Sequence, residues 1–301
     1  MKRKLQGLGV ALVTPFDKKL RVDLDGLAKL LEATAAGGVD YWVVQGSTGE
    51  AATIDPAEKK EILQYVQAHN PHQLPIVYGM GGNNTQELVR QIEQMDFHGI
   101  DAILSVSPYY NRPSQAGIYE HYKCLAAASP VPIILYNVPA RTGSMVAPET
   151  VIRLSELPNI IGIKEASGDL LACMEITKNK PADFLLISGD DGMTIPIMAL
   201  GGVGVISVLA NALPQQMRGI VQAMQHKNHA KAQQYQFEVL ELQKLILRGG
   251  NPVVIKQILA ILGICEPYVR LPLVPLDATF LANLQQAMQP WLSYRSYTDP
   301  R

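Results

Sequence analysis

The 301-residue sequence predicts an α/β protein, a (β/α)8 TIM barrel followed by a C-terminal helical extension. Three observations carry that expectation. Short apolar runs recur eight times, helix-length periodic segments separate them, and no Gly-rich dinucleotide fingerprint follows the first run. Runs with almost no polar alternation read as parallel strands buried on both faces. A span of about 225 residues is the size of one closed eightfold unit.

The first run is GVALVTP near residue 10, within MKRKLQGLGVALVTPF. Basic residues precede it, as in a leader, but it is short, interrupted by Gly7 and Gly9, and lacks a small-residue cleavage site. It reads as the first strand. A helix follows around Asp23 to Ala36, with Leu24, Leu27, Leu30 and Leu31 on one stripe and a stop at Gly37-Gly38. YWVV at 41 is the second strand. The next helix is the clearest: Asp55 is an N-cap, Pro56 fits the first turn, and Glu58 completes a capping box before Ile62, Leu63 and Val66. PIVYG at 75 precedes a helix from Thr85 to Met95 carrying Leu88, Val89, Ile92 and Met95. DAILSVS at 101, PIILYN at 132, IIGIK at 160, FLLIS at 184 and GVISV at 204 complete the eight strands. We place the barrel at residues 1–225. From 226 to 301 the strand signal stops, and three helices follow: one ending at Gly249-Gly250, one in NPVVIKQILAILGI, and one near Asp277 to Met288. The terminal SYRSYTDPR reads as a loose tail.

Composition narrows the function classes. Hydrophobic residues make up 48% of the chain, which suits a sizeable core. With 26 basic and 27 acidic residues the net charge is −1, so no nucleic-acid footprint is expected. No segment approaches the ~20 apolar residues of a membrane helix. Cys124, Cys173 and Cys265 lie far apart without a CxxC pair, which fits a reducing, cytoplasmic setting and small core side chains. The six histidines form no HExxH or Cys/His cluster, so no metal is expected.

In such barrels the chemistry sits at the carboxyl ends of the strands. Those ends here read GSTGE (46–50), GMGGNN (79–84), SPYYNRP (107–113), YNVPART (136–142), KEASGD (164–169), SGDD (188–191) and SVLAN (207–211). Lys164 ends an apolar strand, and alternation places it on a face with Gly162 and Ile160, the glycine leaving room beside its stem. Two readings stay open for it. A desolvated lysine attacks carbonyls as the neutral amine; alternatively its ammonium pairs with a carboxylate such as Asp190. Lys256 lies on an amphipathic helix and is expected to reach water by its long stem. Tyr136, on a face with Ile134, either shuttles protons or holds a structural hydrogen bond. GSTGE offers two hydroxyls and glycines that let amides approach an anion. Arg141 can grip a carboxylate in a bidentate fork or pair with a surface acid. Tyr109-Tyr110, in a proline-bounded loop, suits a lid or an interface plug. GMGGNN reads as a close-approach loop.

Together these residues resemble the dihydrodipicolinate synthase/N-acetylneuraminate lyase superfamily, pyruvate-dependent class I aldolases on a (β/α)8 barrel. The likeness runs from GLGVALVTPFD to RLPLVPL and includes GSTGE, PYYNRP, YNVPxRTG, GIKEASGD, SGDD and GVISV in that order. It implies Lys164 as the Schiff-base nucleophile and Tyr136 as general acid/base. Ser47 and Tyr110 would complete a hydroxyl relay, with Tyr110 reaching into a neighbouring subunit's site. Thr48, Gly189 and Ile206 would line a pyruvate pocket, Thr48 holding the carboxylate. Two features favour the synthase branch: Arg141 matches the arginine that binds aspartate semialdehyde, and GNPVVIK…LGI…RLPLVP follows the synthase pattern. One departs from it, since synthases usually read GTTGE and GSTGE also occurs in neuraminate lyases; serine keeps the hydroxyl.

The resemblance further implies pyruvate and L-aspartate 4-semialdehyde as substrates, no cofactor, and a homo-oligomer arranged as a dimer of dimers. The product would be 4-hydroxy-tetrahydrodipicolinate, the entry to diaminopimelate and lysine. An effector site for lysine would include Asn83, Glu87 and Tyr109. Lys59 stands where lysine-sensitive members often carry histidine, so lysine inhibition is expected to be weak or absent. Two other functions fit less of the pattern. One is a related lyase acting on a sugar acid, such as an N-acetylneuraminate lyase or a 2-keto-3-deoxy sugar acid aldolase or dehydratase. The other is a non-catalytic barrel that binds a small acid.

Overall fold

The computed structural model describes residues 2–70 and 72–292. Eight strands, β1 (Gly7–Ala11), β2 (Tyr41–Val44), β3 (Ile76–Gly79), β4 (Ala102–Val106), β5 (Ile133–Asn137), β6 (Ile160–Glu165), β7 (Leu185–Ser188) and β8 (Gly204–Ser207), close a barrel in sequence order. All pairings are parallel, and β1 meets β8 from Gly7↔Gly204 to Val10↔Ser207. Every strand residue except Gly79 and Val106 is buried, as the unbroken apolar runs require of strands covered on both faces.

The connecting helices are α1 (Leu24–Ala36), α2 (Pro56–Ala68), α3 (Thr85–Gln94), α4 (Gln115–Ala128), α5 (Pro139–Thr142), α6 (Pro148–Ser155), α7 (Leu170–Asn179), α8 (Thr194–Ala199) and α9 (Pro214–Gln225). Side-chain caps start several of them. Asp23 accepts from Gly26 N at α1, and Asp55 and Glu58 make the reciprocal capping box at α2. The α1 stripe buries Leu27, Leu30 and Leu31 against the barrel, at about 1.5–3 kcal/mol for each side chain removed from water. Three longer-range helices follow, α10 (His229–Gly249), α11 (Val253–Leu262) and α12 (Ala278–Met288), packed on the β1–β2–β8 side of the barrel. The loose tail expected at 293–301 lies outside the described residues. No helix among the described residues is long and apolar enough to cross a membrane.

The apolar side chains sort into a barrel interior and an outer layer under the helices. Tyr41, Val43, Val77, Leu104, Ile134, Tyr136, Ile187 and Ile206 belong to the interior. The outer layer divides into one cluster around β1, β2 and β8 and another around β4 to β7.

Four expectations need correction. First, Ile160 does not share a face with Lys164. Ile133 pairs with Ile160 but Ile134 pairs with Gly162, so Ile161 is an extra residue, a β-bulge. Ile161 turns into the barrel, whereas Ile160 and Ile163 pack in the outer layer. Second, Gly162 leaves no gap beside the lysine. A Cβ there would stand 2.7 Å from the Leu185 backbone oxygen, so the glycine lets β6 and β7 approach. Third, Lys256 does not reach water. It is 0% exposed, and its ammonium meets Glu50 Oε1 at 2.5 Å. Fourth, Cys124 is exposed, whereas Cys173 and Cys265 are buried.

Candidate active site

β5 and β6 put Tyr136 and Lys164 side by side as register partners, and Ile187 of β7 follows Lys164 in the same row. Both functional side chains are nearly buried, Lys164 at 5% and Tyr136 at 7% exposure. The Lys164 Nζ lies 4.4 Å from the centre of the Tyr136 ring. Among the described residues no ion pair involves Lys164, neither with the adjacent Glu165 nor with Asp190. Glu165 points to the other face, where it accepts from Asn137 Nδ2 at 2.9 Å and from Ser167 N at 2.7 Å. Burial pushes the Glu165 carboxyl above its ordinary range. Asp190 caps the turn that follows β7, accepting from Gly192 N at 2.7 Å.

The clearance beside the lysine stem comes from Gly189. A Cβ at that position would stand 3.1 Å from Lys164 Cγ and 2.7 Å from Ala166 Cβ. Gly189 N donates to Glu165 O at 2.7 Å, which holds the bare backbone against β6. The neighbouring Asp191 ties this loop to the one after β8, its Oδ2 accepting from Val208 N at 3.2 Å and Leu209 N at 2.8 Å. Burial raises the Asp191 carboxyl to about 6. Ile206 faces the barrel interior on β8.

A cavity of about 640 Å³ opens at the carboxyl ends of the strands. Its wall brings together Ser47, Tyr136 and Arg141 with Lys59 and Tyr109. Lys164, Thr48, Gly189 and Ile206 are not on this wall; Lys164 meets it through Tyr136, whose ring its amine faces.

Ser47 and Thr48 open a short 3₁₀ turn, Ser47–Gly49, directly after β2. Thr48 is buried, and its Oγ1 accepts from Asn251 Nδ2 at 3.0 Å. The same asparagine accepts from Arg141 Nη2 through its carbonyl at 3.2 Å. Asn251 thus connects two residues expected to grip carboxylates, and it lies on the cavity wall. The sequence reading did not single it out as a site residue; its signal there was its place in GNPVVIK, part of the C-terminal pattern.

Tyr110 is not brought to this cavity. It is 88% exposed, with φ of 72° in the loop after β4.

The four expected effector residues are only partly gathered. Asn83 Nδ2 donates to Tyr109 O at 3.2 Å, and Lys59 and Tyr109 share the cavity wall. Burial draws the Lys59 ammonium below its ordinary range. The Glu87 carboxylate is engaged by Arg90 Nη2 at 2.6 Å and by Gln91 Nε2 at 3.0 Å. Among the described residues no group of three or more His, Cys, Asp or Glu side chains is placed to hold a metal ion.

Comparison with known proteins identifies the family. The model of the dihydrodipicolinate synthetase family matches residues 4–290. A 4-hydroxy-tetrahydrodipicolinate synthase of Cytophaga hutchinsonii is 46% identical, covering 93% of this chain and 95% of the relative. Its counterpart in Parabacteroides distasonis is 47% identical over 95% and 96% of the two chains. Among solved structures, the chloride-inhibited dihydrodipicolinate synthase of Acinetobacter baumannii, complexed with pyruvate, superposes with a TM-score of 0.91 at 36% identity. That superposition covers 95% of this chain and 98% of the other. The chain belongs to the dihydrodipicolinate synthetase family.

Proposed function

We propose that this chain condenses pyruvate with L-aspartate 4-semialdehyde through a Schiff base on Lys164, giving 4-hydroxy-tetrahydrodipicolinate. The observation that carries the residue assignment is the register pairing of Tyr136 with Lys164, which sets a phenol next to an amine with no acidic partner among the described residues. The reaction itself is that of the relatives, which bear the synthase name over nearly their whole length.

In this reading the Lys164 amine attacks the ketone carbon of pyruvate. The carbinolamine oxygen takes up a proton delivered through Tyr136 and leaves as water. The resulting iminium draws electrons from the adjacent methyl group, which loses a proton to give the enamine. The enamine carbon then attacks the aldehyde of the second substrate, and the new alkoxide is protonated. Finally the substrate's own amine attacks the iminium carbon, the ring closes, and Lys164 is released.

The other residues have distinct parts. Thr48 and the amides of its turn would hold the pyruvate carboxylate, with Gly189 and Ile206 shaping the space around the methyl group. Ser47 would pass protons between Tyr136 and water, together with Tyr110 supplied by a second copy. Two copies would then be the smallest active unit, and a dimer of dimers is the assembly we propose. Arg141, on the cavity wall and anchored to Asn251, would grip the carboxylate of the semialdehyde. Asn83, Tyr109, Glu87 and Lys59 would form the effector region beside it.

The test is condensation of pyruvate with a panel of aldehydes, read by a coupled downstream reductase for aspartate semialdehyde and by pyruvate consumption for the rest. Turnover confined to aspartate semialdehyde, and lost in Arg141→Ala, supports the reading. Faster turnover with a sugar aldehyde, unaffected by Arg141→Ala, contradicts it.

A further inference from the structure

The C-terminal helices place a buried cation under the turn that the proposed chemistry uses. Lys256 sits in the middle of α11, fully buried, and its Nζ contacts Glu50 Oε1 at 2.5 Å and Tyr268 O at 2.8 Å. It also lies 3.9 Å from the centre of the Phe16 ring. The other Glu50 oxygen accepts from Arg270 N at 3.0 Å. Both carboxylate oxygens of Glu50 are therefore held by residues more than two hundred positions away in sequence.

Glu50 is more than a neighbour of the site. It terminates the Ser47–Gly49 turn in a left-handed conformation, φ 54°, and its own amide donates to Ser47 O at 3.2 Å. A non-glycine residue at positive φ persists only where its surroundings over-determine it. Here the determinants are Lys256 and Arg270 on the side chain, with Thr14 Oγ1 donating to Gly49 O at 2.7 Å on the preceding residue. Asn251, just ahead of α11, holds Thr48 Oγ1 at 3.0 Å. Three consecutive residues of the turn, Thr48, Gly49 and Glu50, are thus each fixed from outside it.

Arg270 extends the arrangement to α2. Its guanidinium forks onto Glu58 at 2.7 and 2.5 Å, and it donates to Thr53 O at 2.8 Å, just past the turn. Lys256 and Arg270 both lie against the face of Phe16. A buried ion pair is a weak stabiliser compared with apolar packing of the same volume, whereas removing one partner leaves a buried charge uncompensated.

We propose that Lys256 is a positioning residue for pyruvate. Its buried pairing with Glu50 sets the turn at which Ser47 and Thr48 meet the substrate, so the C-terminal helices form part of the working site. This rests on the function proposed above. Lys256 does not touch substrate in this account; it acts through Glu50.

The experiment uses the full chain and traps the lysine–pyruvate adduct with borohydride across a range of pyruvate concentrations, alongside thermal unfolding. Lys256→Met keeps the stem and removes the charge. It is expected to raise the half-saturating pyruvate concentration roughly tenfold while leaving the adduct at saturation intact. Lys256→Met combined with Glu50→Gln leaves no unpaired buried charge. It is expected to recover thermal stability but not pyruvate affinity, a split that a merely structural pair would not give. Should Lys256→Met fail to fold, the double variant carries the test. Recovery of both properties in the double variant, or an unshifted half-saturation in folded Lys256→Met, overturns the inference alone. A wild type that forms no adduct at any pyruvate concentration overturns the proposed function, and this inference with it.

Discussion

Lys164 and Tyr136 are register partners on adjacent parallel strands, and the lysine amine faces the tyrosine ring at 4.4 Å. Neither residue gains this position from its own loop. Each is the next-to-last residue of its strand, preceded by buried apolar residues and followed by one buried polar residue, Asn137 or Glu165. The barrel therefore holds both groups as rigidly as it holds its core.

If Tyr136 delivers the proton with which the carbinolamine oxygen leaves as water, removing its hydroxyl should slow the chemistry and spare the fold. Tyr136→Phe keeps the ring beside the amine. We expect kcat/KM to fall by roughly 10²–10⁴-fold, the usual worth of a positioned acid or base. Thermal unfolding should stay near that of the wild type. Retained activity in this variant would assign the proton transfers elsewhere.

Tyr110 gives a prediction about assembly. It is 88% exposed and does not reach the cavity of its own chain. Tyr110→Phe and Lys164→Ala should each be weak or inactive alone. Co-assembled, each mixed pair contains one site with an intact lysine and an intact tyrosine from the other copy. Activity should therefore appear on mixing. No recovery from a mixture shown to contain mixed oligomers would mean that Tyr110 serves its own chain or no site.

Lys59 lines the same cavity as Tyr109 and Gln91. A lysine ligand would bring a second ammonium close to it, and like charges oppose each other strongly where water is scarce. Inhibition by lysine is expected to be weak or absent, and Lys59→His should increase it. Steady-state assays across lysine concentration check this; strong inhibition of the wild type at low lysine would contradict it.

His121 makes stability depend on pH in a direction that follows from its burial. It lies in α4 with Nδ1 at 2.8 Å from Thr85 Oγ1, and desolvation lowers its pKa to about 4. The unfolded chain binds this proton near pH 6.5, whereas the folded chain does so only near 4. The stabilising preference for neutral imidazole is thus complete above about pH 6.5 and declines as pH falls toward 4, by on the order of 3 kcal/mol in total. Denaturant unfolding of wild type and His121→Gln between pH 7 and 4 should show a shallower decline in the variant. Parallel curves would contradict the assignment.

Much of the frame was legible in the sequence because it depends on local pattern. All eight strands begin and end within a few residues of their apolar runs, and the Asp55–Glu58 capping box forms as the residue types require. What escaped depends on distant partners. Strict alternation put Ile160 beside Lys164, but a bulge is set by the register with β5, and no local pattern announces it. Gly162 and Gly189 look alike in sequence, yet one admits the β7 backbone and the other clears the lysine stem. Lys256 resembles any long cation on an amphipathic helix until Glu50 is placed beneath it. Asn251 is one letter of GNPVVIK in the sequence and a bridge between Thr48 and Arg141 in the fold. Motif order pointed to the residues of the candidate site, while their connections became visible only in three dimensions.

The central claim is that Lys164 forms the covalent bond to pyruvate. Incubating the wild type with pyruvate and borohydride, then mapping the modified peptide by mass spectrometry, tests it directly. One reduced pyruvate adduct is expected, on Lys164, and it should be absent from Lys164→Ala. An unmodified Lys164, or an adduct carried by another lysine, would contradict it.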